Sequence, residues 1–218
     1  MGILNSDSIR RLVENEDSLL PFAEHQDEKM LQGANLNLRL GAEAYVSSQA
    51  HPVILDEKRN PTMAVEPGEF ALLMTYEHLK MPLNMLGLIG IRFQYKLYGL
   101  INVSGFHVDP GFEGPLIFSV YNAGPRDVVL RYKDAVFMLV LAQLVGNAEP
   151  YTGRFKDTTT LPVEAITGLR GASASLTRLS NRLDNVDTAL KIYGAILVTL
   201  TIGVLLSIFR MLMSMNPV

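Results

Sequence analysis

The spacing of apolar positions changes character three times along the chain. In the first twenty residues, Ile9, Leu12 and Val13 recur at helical spacing behind Ser6. This predicts an amphipathic N-terminal helix with Ser6 as its cap. Beyond about residue 35, short apolar runs alternate with Gly, Pro, Asn and Asp: LRLGAEAYVSS, FALLMTYEHL, LGLIGIRF, PLIFSVYN, DVVLRY and AVFMLVLAQL. Runs this short, at this spacing, predict a mainly β domain, a sandwich or barrel, rather than βαβ units. From residue 163 helical spacing returns. Leu169, Leu176, Leu183 and Leu190 stand seven apart, with Ala172, Leu179, Val186 and Tyr193 at the partner heptad position.

That seam predicts a parallel coiled-coil stalk, in which Leu169, Leu176, Leu179, Leu183, Val186 and Leu190 join copies of the chain. Arg182 falls at g and Asp187 at the following e, the offset of an interchain ion pair. The alternative is a helix packed on its own domain. Leu at one seam position and mixed residues at the other leave the copy number open.

The seam runs into IYGAILVTLTIGVLLSIF, residues 192–209, which carries no charge and is flanked by Lys191 and Arg210. At about 1.5 Å per residue it reaches ~27 Å, close to the thickness of a bilayer core. Met211, Leu212 and Met213 extend it. This predicts a single-pass C-terminal membrane anchor with the soluble domain in the cytoplasm, since the N-terminus lacks an apolar leader. Ala195, Thr199, Gly203 and Ser207 lie four apart and form one small, weakly polar stripe. Such a stripe suits close helix contact or, in an assembly, the lining of a narrow pore.

Composition narrows the classes. With 218 residues, 48% hydrophobic and 19% charged, the chain can bury a substantial core. A net charge of -3 argues against duplex DNA as a partner. The absence of cysteine removes disulfides, thiolate metal sites and Cys nucleophiles. His25, His51, His78 and His107 show no metal-ligand spacing and are expected as surface or loop residues. No metal or cofactor is expected. Walker, dinucleotide and nucleophile-elbow motifs are missing.

Several patches carry a likeness, in order: NSDSIRRLVENEDSLLPF, GANLNLRLGAEAYVSS, VEPGEFALLMTYEHLKMPLNMLGLI, GFHVDPGFEGPLIFSVYNAG, DVVLRYKDAVFMLVLAQL and PYTGRF. Together they resemble the dCTP deaminase branch of the dUTPase-like superfamily over residues 1 to about 157. The resemblance implies a distorted β jelly roll or barrel, an N-terminal helix, and a homotrimer with nucleotide sites between subunits; a tetramer is the alternative copy number. The domains expected are residues 1–157 for that fold, 158–190 for linker and stalk, 191–213 for the membrane helix and 214–218 for a tail.

The resemblance also implies where the chemistry belongs. The family places a Glu three residues before the Asn of the strand after Asp-Pro-Gly, where it shuttles protons as water attacks the base. Counted back from Asn122, that position is Ser119, a hydroxyl without a suitable pKa for the exchange. The family's Arg-Ser-Ser-x-x-Arg segment reads Arg92-Phe93-Gln94-Tyr95-Lys96-Leu97, and its Asp before Leu-Arg-Leu-Gly is Asn37. Asp109 of Asp-Pro-Gly is retained, either to orient a water or to hold its turn.

The expectation is therefore a protein without catalytic residues, whose pocket binds a nucleotide or short oligonucleotide. Phe93 and Tyr95 would face a base, and Arg92, Lys96, Arg154 and Lys156 phosphates. Asn102, Asp109 and Tyr151 would complete the site. Joined to the stalk and anchor, this suggests a sensor-effector, a ligand-gated pore or membrane-disrupting protein in which the ligand either activates or inhibits, a plan resembling prokaryotic antiviral effectors. Two alternatives stand beside it: a structural membrane scaffold, and a divergent membrane-tethered dCTP deaminase or dUTPase using Glu113 as its carboxylate.

Overall fold

A computed structural model of the chain describes residues 2–14, 30–169 and 176–215. The chain forms two compact units, Met1–Ser175 and Leu176–Val218. The first opens with β1 (Gly2–Ile3) and α1 (Ser6–Glu14), followed by β2 (Leu31–Gln32), β3 (Asn35–Val46), β4 (Val53–Ile54) and β5 (Thr62–Val65). Next come β6 (Phe70–Lys80), β7 (Met85–Ile91), α2 (Phe93–Leu97), β8 (Leu100–Asn102) and β9 (His107–Val108). It closes with β10 (Glu113–Asn122), β11 (Val128–Arg131), β12 (Ala135–Gln143) and α3 (Val163–Leu169). All six apolar runs expected as strands are strands.

The main sheet runs β8-β10-β6-β3-β12-β7-β9 and is antiparallel throughout, with β1 on β12 and β2 and β4 on β3. β3 is the strand that curls it. Leu36, Leu38 and Arg39 pair with β12, whereas Leu40 and Ala44–Val46 pair with β6, with a register shift between Leu40 and Ala44. A bulge of this kind bends a strand and increases its twist. At the bend, Glu77 of β6 accepts both the Arg39 backbone N–H and its side-chain Nε–H, each at 2.7 Å. Gly41 belongs there because a Cβ would lie 2.7 Å from the Thr75 carbonyl oxygen.

The half-barrel encloses the core. β10 alternates strictly, sending Leu116, Phe118 and Val120 inward. Phe118 stacks on Phe137 of β12 with ring centroids 4.1 Å apart, tying the two arms of the curled sheet together. Each such side chain contributes about 1.5–3 kcal/mol of burial. α1 inserts Ile9, fully buried, into the same core. Its cap is Asn5 rather than Ser6: Asn5 Oδ1 accepts the Ser8 N–H at 3.0 Å, and Ser6 is the first helical residue. The remainder of the expected first helix, residues 15–20, lies outside the described residues.

α3 packs on this domain. Leu161 and Ile166 are buried in a satellite cluster with Tyr45 and Leu72, against which Leu169 also packs. Leu169 thus lies in a domain contact within the single chain, and Ala172 lies outside the described residues.

The second unit is one helix, α4 (Leu176–Met215). Leu176 and Leu179 lie in its first turns, and Leu183, Val186 and Leu190 are exposed along it. The segment Arg182–Leu212 is long and apolar enough to cross a membrane. Asp187 pairs with Lys191 at 2.6 Å within the same helix, whereas the sequence pattern matches it with Arg182 of another copy. Thr199 donates its hydroxyl to the Ala195 carbonyl and Ser207 to that of Gly203, so the stripe's hydroxyls are satisfied internally.

Candidate functional site

The DPGF segment builds one end of the site. The Phe112 N–H donates to the Asp109 carbonyl, closing a turn in which Gly111 adopts φ 73°. Gly is required there twice over: the left-handed backbone favours it, and a Cβ would lie 2.9 Å from the Pro150 Cα. The Tyr151 N–H donates to the Pro110 carbonyl at 2.8 Å, and the Tyr151 and Phe112 rings meet at 5.6 Å. The turn therefore positions Asp109 and Tyr151 together.

These residues border a cavity of about 330 Å³. Its polar edge carries Ser104, His107, Asp109, Ser119 and Tyr151. Apolar walls come from Leu72, Ile89, Phe112, Ile117 and Phe155, and Pro162 and Ala165 close the side nearest α3. A mostly apolar cavity with a few converging polar groups, at the lower end of the usual size range, suits a small organic ligand. Ser119 sits on β10 opposite Leu72 of β6, and its carbonyl accepts the Val103 and Ser104 N–H groups at 2.9 and 3.2 Å.

Asp109 does not spend its carboxylate on the turn. Its Oδ1 lies 3.3 Å from His107 Nε2. His107 is thereby a site residue, although its spacing in sequence pointed to an ordinary loop histidine. The signal for it was its place two residues before the retained Asp: β9 ends at Val108, and the turn brings both flanking side chains to the same opening. Asn122, the Asn of the same strand motif, is buried and structural. Its Nδ2 donates to the Val65 and Arg126 carbonyls, each at 2.8 Å, while its Oδ1 accepts the Gly124 N–H at 2.9 Å.

The sequence-predicted ligand residues divide. Asp109 and Tyr151 line the cavity. Asn102 stands one step behind it, accepting the Ser104 hydroxyl at 2.6 Å and donating to the Gly105 carbonyl at 3.2 Å. Arg154 and Lys156 are exposed on either side of the lining residue Phe155, and the Arg154 guanidinium packs 4.8 Å from that ring. The α2 group is elsewhere. Arg92 donates to the Ala135 carbonyl at 3.3 Å, Phe93 is 72% exposed, and Lys96 is exposed; none of the three lines the cavity. Tyr95 is buried in the core, and burial, with the nearby Asp134 charge second, raises its phenol above the usual range. Asn37 is buried in β3 and accepts the Asn35 side-chain amide at 3.3 Å. Glu113 is not among the lining residues; its carbonyl accepts the Asp157 N–H. Among the described residues no cluster of three metal-ligating side chains occurs.

Known proteins resemble this chain in sequence and in fold. The profile of the dCTP deaminase-like family matches residues 3–144. The dCTP deaminase of Pyrococcus abyssi is 31% identical over 145 residues, covering 66% of this chain and 88% of that protein. The dCTP deaminase of Pyrococcus furiosus is 32% identical over 150 residues, covering 68% and 90%. In three dimensions the chain resembles the crystal structure of 2'-deoxycytidine 5'-triphosphate deaminase from Agrobacterium tumefaciens, with a TM-score of 0.53 and 20% identity. That match spans 64% of this chain and 48% of the other. The cavity, the DPGF turn that shapes it and the curled sheet that carries both thus sit on a chain that belongs to the dCTP deaminase-like family.

Proposed function

We propose that this chain is a membrane-anchored, noncatalytic nucleotide-binding oligomer that acts as a sensor-effector. One observation carries the reading: Ser119, which stands at the position of the deaminases' catalytic Glu, faces an open cavity whose DPGF frame is intact. A site that had lost its purpose would be free to fill with side chains, since voids cost packing energy. Tyr151 and Phe155 offer aromatic surface to a base, while Asp109, His107 and Ser119 supply hydrogen bonds to its edge. Arg154 and Lys156, at the exposed margin, meet the phosphates of a nucleotide or short oligonucleotide. Helix α4 supplies the anchor. Its uncharged run, residues 192–209, reaches ~27 Å at about 1.5 Å per residue, close to the ~30 Å core of a bilayer, within the candidate span Arg182–Leu212. Leu183, Val186 and Leu190 form the seam between copies, with the barrel on the cytoplasmic side. The output is a membrane response, a pore or local disruption, of the kind that serves antiviral defence. The domain limits of this reading are the barrel to residue 157, the linker and stalk from 158 to 190, the anchor from 191 to 213 and the tail from 214 to 218.

Native mass spectrometry of the full chain, released gently from membranes, tests copy number and retained ligand together. The expected result is a trimer or tetramer that carries or takes up a nucleotide and leaves it unchanged. Ser119→Trp fills the cavity and is expected to lower nucleotide affinity at least tenfold while preserving the oligomer. An oligomer that takes up nothing from a panel of deoxynucleotides and short oligonucleotides points instead to a scaffold.

The His107–Asp109 pair supports a second reading, an enzyme. A His held by a carboxylate can move protons at a substrate. Ammonia or pyrophosphate release from dCTP or dUTP, lost in His107→Ala, would establish it and overturn the noncatalytic reading.

A further inference from the structure

The cavity is poor in positive charge. Among the described residues that border it there is no Lys or Arg, and its carboxylate, Asp109, stands at the opening with 47% of its side chain exposed. The segment 149–157 runs beside that opening. It is pinned by the Tyr151 N–H on the Pro110 carbonyl and by the Asp157 N–H on the Glu113 carbonyl, each at 2.8 Å. Its cations, Arg154 and Lys156, are exposed on either side of the lining residue Phe155. The same segment carries Glu149 and Asp157, also exposed, so its formal charges cancel and Asp109 leaves the opening acidic. Arg92 and Lys96, the other cations expected at phosphates, lie outside the cavity wall of their own chain, with Arg92 bonded to the Ala135 carbonyl.

Hydrogen bonding inside the cavity points the same way. The Ser104 hydroxyl donates to Asn102 Oδ1 at 2.6 Å, so its proton is spent and its lone pairs remain. Asp109 likewise offers lone pairs. Groups that accept suit the N–H and O–H donors of a base and sugar, whereas ionised phosphate oxygens are acceptors themselves and gain nothing from them. A single phosphate leaving the cavity has Arg154 and Lys156 to meet. Each further phosphate adds negative charge to an opening where the carboxylates of Asp109, Glu149 and Asp157 already outnumber those two cations, and like charges repel. We propose that the cavity is a nucleoside site, which binds a nucleoside or its monophosphate in preference to the triphosphate of the same base. This preference rests on the nucleotide reading of the same cavity and narrows it to ligands with at most one phosphate. Such ligands are products of phosphate-ester and phosphoanhydride hydrolysis, so the chain responds to the breakdown of nucleotides or nucleic acids rather than to the intact triphosphate pool.

The test is calorimetric titration of the full chain in lipid nanodiscs with the common deoxynucleosides, their monophosphates and their triphosphates, without divalent cations that would neutralise the phosphates. For the base that binds best, the nucleoside or monophosphate is expected to bind at least tenfold more tightly than the triphosphate. Triphosphate affinity is expected to rise as salt is added, because at physiological ionic strength the Debye length falls to ~8 Å and repulsion is screened; a cationic phosphate site gives the opposite slope. Asp109→Asn keeps the turn, which the residue's backbone carbonyl closes, and is expected to narrow the gap between monophosphate and triphosphate at least threefold. Asp157→Asn is expected to narrow it too, and its positive φ of 56° suits Asn. A triphosphate that binds as tightly as the monophosphate, or more tightly, overturns the preference and leaves the nucleotide reading in place. A gap that neither variant alters also overturns it, since the carboxylates then do not set it. Binding of no nucleoside or nucleotide at all overturns the nucleotide reading, and the preference with it.

Discussion

Glu77 shows how one residue can hold a fold at a point of curvature. Its carboxylate is fully buried, and Arg39, with 17% of its side chain exposed, is its ion-pair partner. Burial raises its pKa above the ordinary 4.5, and the Arg39 hydrogen bonds oppose that rise without cancelling it. Because the folded state holds this proton more tightly than the unfolded chain does, the group's contribution to stability is complete below pH ~4.5. It is lost as pH rises through the folded-state value. Thermal melts across that interval should show stability falling with pH, and Glu77→Gln should flatten the slope. Glu77→Ala should cost more, about 3 kcal/mol, because it leaves Arg39 without its partner at the bend. An unchanged melting temperature in Glu77→Ala would contradict this account of the β3 curl.

Among the elements, α1 and β10 show opposite sources of order. α1 is short, and a helix of that length depends on its cap and its docking residue more than on propensity. Asn5→Ala should destabilise it by about 1 kcal/mol, read as roughly fivefold faster amide exchange over residues 6–14. β10 owes its order to its neighbours. It is bonded on one side along most of its length by β6 and on the other by β8, with a register shift between Pro115 and Ile117. That shift occurs beside the cavity, where Pro115, Leu116 and Ile117 all contribute to the wall. Two faces of one strand therefore serve different ends: Phe118 and Val120 fill the core, and Ser119 lines the cavity.

For the whole molecule, the decisive prediction concerns α4. A chain ended after Leu169 retains the barrel, its cavity and the α3 contacts, and loses the apolar helix. It should move from the membrane fraction to the soluble fraction on cell fractionation, with its nucleotide affinity retained. Persistence in the membrane fraction would assign anchoring to the barrel instead. Leu183→Glu in the full chain should weaken the oligomer, because a charge in a heptad seam cannot be buried without a partner; its mass distribution in native spectra would show dissociation.

The family and the strands were legible in the sequence because their causes are local. Period-two alternation and turn residues predict strands wherever one face is buried, and Asp-Pro-Gly-Phe needs only its own backbone to turn. The length and lack of charge of the C-terminal helix are likewise properties of a single segment. The site was legible in part. Asp109, Tyr151 and the Ser at 119 stand in motifs that meet the cavity, whereas Arg92, Phe93, Tyr95 and Lys96 were grouped by motif alone. Within the single chain, the fold turns Tyr95 into the core and leaves Arg92, Phe93 and Lys96 outside the wall of this cavity. His107 carried only its place beside Asp109 and Phe155 no signal of its own, because what brings them to one cavity is the packing of β9 and the 150–157 loop. The bend of β3 was equally invisible, since it depends on a carboxylate 38 positions away. So, too, was the seat of α3, where Leu169 fits a heptad in the sequence and a satellite core in the fold. The sequence by itself determined the elements and the family, because alternation, turn chemistry and apolar length act within one segment. Tertiary structure alone decided which side chains share the cavity, because that is set by bulges and register between strands distant in the chain.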